Sequence, residues 1–188
     1  MSFDIKIDQG VEIPEVLQSG RVVAELAGEK VRLSLRVKSA DRTAVAKALG
    51  FTLPAKIGAT SSKVGITCAC LGPDEWIVIA DQDKGGKLYG KALKLASKYD
   101  MSVTDVSFRN IGITVTGEGA ADMINVGCPL DLRLAAFPVG SCTRSVYEAV
   151  PILLYRRAED SFTVECWRSF APYVVGLMAA HRSGAAST

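Results

Sequence analysis

The stretch Val64-Gly-Ile-Thr-Cys-Ala-Cys-Leu-Gly-Pro-Asp-Glu-Trp-Ile-Val-Ile-Ala80 decides the fold class of this chain. Two short, mostly apolar runs, 64–71 and 75–80, flank the turn signal Gly72-Pro-Asp74, and this pattern predicts an antiparallel hairpin. The next segment, Lys87–Tyr99, places apolar residues on one side and lysines on the other, as an amphipathic helix does. A hairpin followed by a helix indicates an α+β fold, in which helices cover one face of an antiparallel sheet.

Further elements are predicted on both sides of this stretch. Upstream, Val31–Val37 alternates apolar and polar residues like a half-buried strand, and Asp41–Leu49 reads as a helix, with Ser39 as its cap and Gly50 as its stop. Downstream, the same signals predict strands over Val103–Ser107, Ile111–Val115, Ser141–Glu148, Ile152–Tyr155 and Phe162–Trp167, and helices over Ala120–Val126 and Ser169–His181.

The two halves of the chain repeat one pattern. Val37-Lys-Ser-Ala-Asp41 precedes a helix that ends at Gly50, and Val115-Thr-Gly-Glu-Gly119 precedes a helix that ends at Gly127. We therefore predict two tandem, diverged strand–helix–strands–helix halves with antiparallel sheets that join around a central crevice. The expected division is an N-terminal arm over 1–19, a first α+β half over 20–107, a second α+β half over 108–182 and a flexible tail over 183–188.

Composition favours a folded chain without a nucleic-acid or membrane partner. Hydrophobic residues make up 48% of the 188, which supports a buried core of ordinary size. The net charge of +2 arises from 22 basic and 20 acidic residues, so no general attraction to polyanions is expected. The densest basic run, Lys84–Lys98, fits a solvated helix face, with a phosphate-binding face as the alternative. Because no apolar run approaches the ~20 residues of a membrane span and no signal peptide is visible, we expect a cytoplasmic protein.

Residues suited to catalysis or metal binding are scarce. The single histidine, His181, falls at the end of the last predicted helix, where a cation interacts favourably with the helix dipole. The five cysteines include Cys68 and Cys70, two apart in a predicted strand, which are either buried thiols or a metal-binding pair. Gly117-Glu-Gly119 offers backbone amides to an anion, although Glu118 would repel one. We therefore expect no catalytic, cofactor-binding or metal-binding residue on this chain.

Polar and aromatic residues in three places are candidates for contacts with a partner. Asp105 and Arg109 flank the join between the halves. The run 128–140 is apolar but lacks periodicity, so it is either a lid over the chain's own core or an interface loop. The run 167–173 combines aromatic residues with an arginine, which suits either a core or a contact site. The candidate interface residues are Asp105, Arg109, Arg133, Phe137, Arg168, Phe170 and Tyr173.

Four segments of the chain resemble the gamma subunit of heterotetrameric sarcosine oxidase. They are Leu71-Gly-Pro-Asp-Glu-Trp76, Asp105-Val-Ser-Phe-Arg109, Cys128-Pro-Leu-Asp-Leu-Arg-Leu-Ala-Ala-Phe-Pro-Val-Gly140 and Trp167-Arg-Ser-Phe-Ala-Pro-Tyr173. The segments are long and in order, and they are spread over about residues 65–180. Members of this family often carry a histidine where this chain has Phe108, which is a departure from the pattern.

The resemblance implies a fold similar to the folate-binding region of glycine-cleavage aminomethyltransferases. It also implies a host complex that oxidatively demethylates sarcosine to glycine, with release of hydrogen peroxide and formation of a folate-bound one-carbon unit. Such complexes use FAD, FMN, NAD and tetrahydrofolate, with the flavins and the folate on the larger alpha and beta subunits. The implied partners are thus the alpha, beta and delta subunits, and no catalytic residue is carried over to this chain.

The sequence therefore predicts a non-catalytic structural subunit of such a complex. One alternative is a free-standing folate-binding protein of one-carbon transfer, in which Asp105 or Arg109 contacts the ligand. Another is an interaction domain of a different oxidase or dehydrogenase. If the run 128–140 is an interface loop, Arg133→Glu or Phe137→Asp should weaken assembly and leave the isolated fold intact.

Overall fold

The computed structural model describes residues 16–19 and 21–185, and it confirms the predicted α+β class. The strands are β1 (Val16–Ser19), β2 (Val22–Leu26), β3 (Lys30–Val37), β4 (Thr60–Lys63), β5 (Ile66–Gly72), β6 (Glu75–Asp81), β7 (Met101–Asp105), β8 (Asn110–Thr116), β9 (Cys142–Tyr147), β10 (Val150–Ala158) and β11 (Ser161–Trp167). The helices are α1 (Arg42–Leu49), α2 (Gln82–Ala96), α3 (Ala120–Asn125) and α4 (Ala171–Ala185), and a 3-10 turn, Arg168–Phe170, leads into α4.

The first sheet has five strands in the order β4-β5-β6-β3-β7 and contains the predicted hairpin. Strands β5 and β6 pair antiparallel, with Cys70 opposite Trp76. Every second residue of β3 from Val31 to Val37 points to one face and packs with residues of α1 and α2 in an apolar core. The buried Trp76 also donates from its indole Nε1 to the carbonyl of Pro54 at 2.9 Å, so its single polar group is satisfied within this core.

The second sheet has six strands in the order β1-β2-β8-β11-β10-β9, and two of its strands correct the predicted division of the chain. Residues 16–26 were assigned partly to an arm and partly to the first half, yet β2 pairs with β8 of the second half, with Ala24 opposite Val115. The reason is the alternation within β2, since Val22 and Ala24 are buried in the core that α3 and α4 share with this sheet. The rest of the predicted arm, residues 1–15, lies outside the described residues.

The helix bounds match the sequence prediction at some ends and depart from it at others. Gly50 ends α1 with φ of +88° and donates to the carbonyl of Ala46, as predicted. Helix α2 begins at Gln82 rather than Lys87, and its Gly85 lies so close to Val31 that a Cβ would come within 2.2 Å of that side chain. Helix α4 starts after a 3-10 turn that contains Ser169 and extends to Ala185, so residues 183–185 are helical and not a tail. None of the described helices has the length and apolar character of a membrane span.

The two sheets pack face to face, and the predicted crevice between them is filled at its centre. An apolar cluster occupies the contact and consists of Ala69, Ile77, Ile79, Cys142, Leu153 and Tyr155. Beside this cluster, Arg32 of β3 donates from Nε and Nη2 to the carboxylate of Glu165 on β11, at 2.6 and 3.0 Å. Both side chains are almost fully buried, at 1% and 3% exposure. The result is four layers, with helices outside, two sheets inside and a buried ion pair joining the sheets.

Candidate partner interface

The segment 167–173 exposes aromatic side chains where β11 leads into α4. In β11, Phe162, Val164 and Cys166 point into the core under α4, so the alternation directs Trp167 to the opposite face, at the strand's end. The rings of Trp167 and Phe170 stack with their centroids 5.9 Å apart. Trp167 is 48% exposed and Tyr173 is 51% exposed, so this aromatic segment projects into solvent instead of into the core.

The loop between β7 and β8 lies beside that segment and adds a fourth aromatic ring. The backbone N–H of Arg168 donates to the carbonyl of Arg109 at 2.8 Å, which brings the loop that carries Phe108 beside the start of the segment 167–173. Phe108 is 93% exposed. The loop owes its shape to Asp105, whose carboxylate accepts a hydrogen bond from the Ser107 N–H at 2.9 Å.

We define the aromatic patch as Phe108, Trp167, Phe170 and Tyr173. Two arginines lie next to its members in the chain: Arg168 donates to Glu29 at 3.1 Å, and Arg109 donates to the side-chain oxygen of Asn110 at 3.0 Å. Exposed aromatic rings beside arginines are the composition that protein–protein contact sites favour. Of the predicted interface residues, Arg109, Arg168, Phe170 and Tyr173 belong to this region, and Asp105 shapes its loop.

The run 128–140 behaves differently, and its Phe137 corrects the interface prediction. Phe137 is 8% exposed and Leu132 is 2% exposed, and both belong to the core of the six-stranded sheet. The guanidinium of the buried Arg156 donates to the carbonyls of Leu132 and Phe137 at 2.7 and 2.8 Å. The run is therefore a lid over the chain's own core, held from below by Arg156, and Phe137→Asp cannot leave the fold intact.

Arg133 is the one candidate of this lid that remains at the surface. Its Nε donates to both carboxylate oxygens of Asp131, at 2.9 and 3.1 Å, within the same loop. These hydrogen bonds lower the pKa of Asp131 to about 2. The guanidinium thus already has a local carboxylate partner, which makes Arg133 a weaker candidate for a partner contact than the aromatic patch.

The space between the sheets opens into cavities on either side of the filled centre. The larger, about 720 Å³, is lined by residues of β2, β5, β6, β8 and β11, and includes the Lys30–Asp81 ion pair at 2.6 Å. The smaller, about 180 Å³, includes Arg109 and Trp167 in its wall. Glu165 borders both cavities, but both of its oxygens accept from Arg32. Gly112 makes room for this pair, because a Cβ there would lie 2.7 Å from the Glu165 carboxylate.

The thiols and acidic groups of the described residues offer little reactive chemistry. All five cysteines are buried and free, and burial raises the pKa of Cys142 and of Cys166 to about 12. Thiols with such pKa values stay protonated at neutral pH and are poor nucleophiles and ligands. Among residues 16–19 and 21–185, no group of three or more His, Cys, Asp and Glu side chains is arranged to hold a metal ion.

Two further sequence candidates have structural explanations. His181 lies inside α4, which continues to Ala185, and not at the helix end. Gly117 has φ of +109°, and a Cβ there would lie 1.9 Å from the Arg21 carbonyl, so the glycine allows β2 and the turn to approach closely. Glu118 pairs with Arg21 across this contact. The Gly117–Gly119 turn is accounted for by packing, without an anion.

The sequence matches a known family model and has relatives of known structure. Residues 35–183 match the model described as "Sarcosine oxidase, gamma subunit family". A sarcosine oxidase subunit gamma from an Arthrobacter species is 32% identical over 127 residues, which are 67% of this chain and 62% of that relative. A solved structure covers more of the chain. The heterotetrameric sarcosine oxidase from Corynebacterium sp. U-96, solved with pyrrole 2-carboxylate, superposes with a TM-score of 0.83 at 25% identity. The superposition covers 95% of this chain and 92% of the matched chain.

A second structural match concerns the fold alone. The glycine cleavage system aminomethyltransferase T from Bartonella henselae superposes with a TM-score of 0.61 at 12% identity and covers 84% of this chain and 45% of that protein. The fold expected from the sequence resemblance is thereby confirmed.

Proposed function

The chain belongs to the sarcosine oxidase gamma subunit family, and on this basis we propose that it is a non-catalytic, partner-binding subunit of a heterotetrameric sarcosine oxidase. In this proposal its partners are alpha, beta and delta subunits. The complex demethylates sarcosine to glycine, with hydrogen peroxide and a folate-bound one-carbon unit as the other products. FAD, FMN, NAD and tetrahydrofolate are held by the partners and not by this chain.

The exposed aromatic patch is the observation that carries this proposal. Trp167 and Phe170 stack with centroids 5.9 Å apart and are 48% and 37% exposed, although isolated proteins seldom leave adjacent large rings in water, and Phe108 in the neighbouring loop is 93% exposed. Burying an exposed aromatic side chain in a contact with a partner stabilises the complex by about 1.5–3 kcal/mol, so four such rings can anchor a partner. The buried thiols of Cys142 and Cys166, whose pKa values are raised to about 12, and the Arg32–Glu165 pair are in keeping with a role in binding.

Co-expression with tagged alpha, beta and delta subunits tests the proposal. We expect the wild-type chain to co-purify with them, and the double variant Phe108→Ser/Trp167→Ser to co-purify at least about 100-fold more weakly, because two contact anchors are lost. Ile57→Ser/Val64→Ser is the matched control, since these apolar residues are 57% and 85% exposed but lie outside the patch. A fully active complex assembled without this chain would refute the proposal, and equal loss in both double variants would refute the role of the patch.

A free-standing folate-binding protein is the second candidate, and the larger cavity favours it. Its volume of about 720 Å³ lies within the range of small-molecule sites, and polar side chains line it. The two residues that we expected to contact a ligand in this case are not among its lining residues, and Arg109 lines the small cavity instead. Calorimetry with tetrahydrofolate separates the candidates, since a carrier must bind it without partner subunits.

A further inference from the structure

Lysines line one side of α2 and extend beyond its end. Lys84, Lys87, Lys91 and Lys94 lie within the helix, three or four residues apart, and Lys98 lies in the turn that follows. Residues at these spacings share one side of a helix, so the four helical lysines form a stripe about 15 Å long. The buried residues of α2, including Leu88 and Ala92, face the five-stranded sheet, and the lysine stripe lies along a flank of the helix, about 100° around its axis from them.

The chain itself supplies little negative charge to most of the stripe. Asp83 is the only acidic residue within α2, and the two carboxylates that flank the helix form ion pairs with other lysines: Asp81 with Lys30, and Asp100 with Lys38. Asp81 also attracts Lys84 at the start of the stripe, so Lys87, Lys91 and Lys94 are its least compensated charges. Among the described residues, no lysine of the stripe takes part in an ion pair.

The hydrogen bonds of the stripe lead to backbone carbonyls instead. Lys84 donates to the carbonyl of Val64 at 2.7 Å, and Lys91 donates to the carbonyl of Leu49 at 3.5 Å. Lys87 and Lys94 are exposed. Like charges at these spacings disfavour an isolated helix, so an opposite charge from outside would relieve the repulsion. In a chain with a net charge of only +2, this concentration of positive charge is local and not a consequence of composition.

We infer that the lysine stripe of α2 is a second contact site, which binds an acidic protein surface on another subunit of the complex. This inference rests on the proposed function. The stripe belongs to α2, which covers the outer face of the five-stranded sheet, whereas the aromatic patch lies where the β7–β8 loop meets the start of α4, so the two sites are on different parts of the molecule. Complementary charge of this kind increases the association rate and fixes the orientation of docking.

The composition of the stripe favours an acidic protein over a nucleic acid. All four cations of the stripe are lysines, which lack the planar fork by which arginine reads bases and phosphates. The one aromatic residue of α2, Tyr89, lies on the other side of the helix, so the stripe itself offers no ring on which a base could stack. Flexible point charges without aromatic platforms suit a field of carboxylates, which requires no fixed geometry.

Charge reversal on the stripe tests the inference in the co-expressed complex. Lys87→Glu/Lys94→Glu should raise the concentration at which the complex half-dissociates on dilution about tenfold at low salt, and this difference should shrink as salt rises from about 0.05 to about 0.5 M. Lys87→Arg/Lys94→Arg keeps the charges and should behave like the wild type. Lys56→Glu/Arg157→Glu, at exposed positions outside the stripe, changes the net charge equally and should have little effect.

The possible results separate the inference from the proposed function. Unchanged dissociation of the stripe variant, or equal weakening by the Lys56/Arg157 control, overturns the inference and leaves the proposed function in place. Failure of the wild-type chain to co-purify overturns both. Fluorescence anisotropy with a short DNA duplex adds the remaining outcome: binding that the stripe variant loses, with assembly unaffected, would assign the stripe to nucleic acid and overturn the inference.

Discussion

Residues 128–140 and 167–173 are similarly rich in apolar side chains, yet the first segment buries its single aromatic ring and the second leaves its rings partly in water. In the first, Leu132 and Phe137 enter the core of the six-stranded sheet, and Arg156 binds their carbonyls. In the second, Trp167 and Tyr173 are about half exposed. Apolar content alone therefore does not distinguish a lid from a docking site.

The difference lies in what is placed beneath each segment. A long loop can bury its side chains only if its backbone polar groups also find partners, and the Arg156 guanidinium supplies donors for the lid. In segment 167–173 the Arg168 N–H donates to the Arg109 carbonyl and the Ala171 N–H to the Arg168 carbonyl, so the backbone is held at the surface while the rings of Trp167 and Tyr173 stay about half exposed.

The largest expected effect is that of Phe137→Asp, which tests whether the lid is part of the core. Removing a buried phenylalanine costs about 3–5 kcal/mol of unfolding free energy, and a buried carboxylate adds to this loss. We expect the variant to unfold or to lose more than about 4 kcal/mol in urea denaturation. Tyr173→Asp is the control at an exposed ring, and it should change stability by no more than about 0.5 kcal/mol. A stable Phe137→Asp protein that fails to assemble would restore the interface interpretation of the lid.

Arg156→Met should have the next largest effect, because it removes the donors that hold the lid. The carbonyls of Leu132 and Phe137 would lose their partner, and a buried unsatisfied acceptor costs about 1–3 kcal/mol. We expect a loss of about 2–3 kcal/mol in unfolding free energy, together with faster hydrogen exchange of the lid amides. The neighbouring, exposed Arg157→Met is the control and should match the wild type. If both variants have equal stability, the lid is held by its apolar side chains alone.

An element of this fold is predictable from the sequence when the residues that determine it are close together in the chain. The hairpin of β5 and β6 and the stop at Gly50 follow from neighbouring residues, and both are confirmed. Strand β4 was missed because Thr60–Lys63 is polar throughout. Strand β2 was missed because its partner, β8, lies about ninety residues further along the chain, and no local pattern reports such a pairing.

The candidate site is predictable only in part, because exposure depends on contacts between distant parts of the chain. Residue type singles out Trp167, Phe170 and Tyr173, but the sequence leaves open whether these side chains lie in the core or at the surface. Phe108 was noted only as a departure from a family pattern, and its exposure depends on the fold. Arg32 and Glu165 occupy polar positions in alternating strands, which the sequence alone would place at the surface. The two sheets pack against each other on the faces that carry these residues, so the two charges form a buried pair.

Trp167→Ser should separate binding from stability. Since Trp167 is 48% exposed and lies at the end of β11, we expect its loss to lower the unfolding free energy by less than about 1 kcal/mol. Loss of a contact anchor typically costs about 2 kcal/mol or more of binding, so assembly with the partner subunits should weaken about 30-fold. Ile57→Ser, at an apolar residue that is 57% exposed and lies outside both proposed contact sites, is the control. Unfolding that parallels the loss of assembly would place Trp167 in the core after all.

The smallest expected effect concerns Arg133 and Asp131, the surface pair of the lid. Hydrogen bonds from Arg133 lower the Asp131 pKa from 3.8 to about 2 in the folded chain, so their stabilising effect is present above pH 3.8 and is lost as the pH falls toward about 2. Arg133→Gln should raise the Asp131 pKa toward 3.8 in an NMR titration, and it should stay below that value because the backbone N–H of residue 133 still donates to the carboxylate. Assembly at neutral pH should change far less than in Trp167→Ser, because the guanidinium of Arg133 is already engaged within its own loop. A loss of assembly as large as that of Trp167→Ser would mean that Arg133 leaves Asp131 to bind a partner, and the lid would then also contribute to the interface through its outer surface.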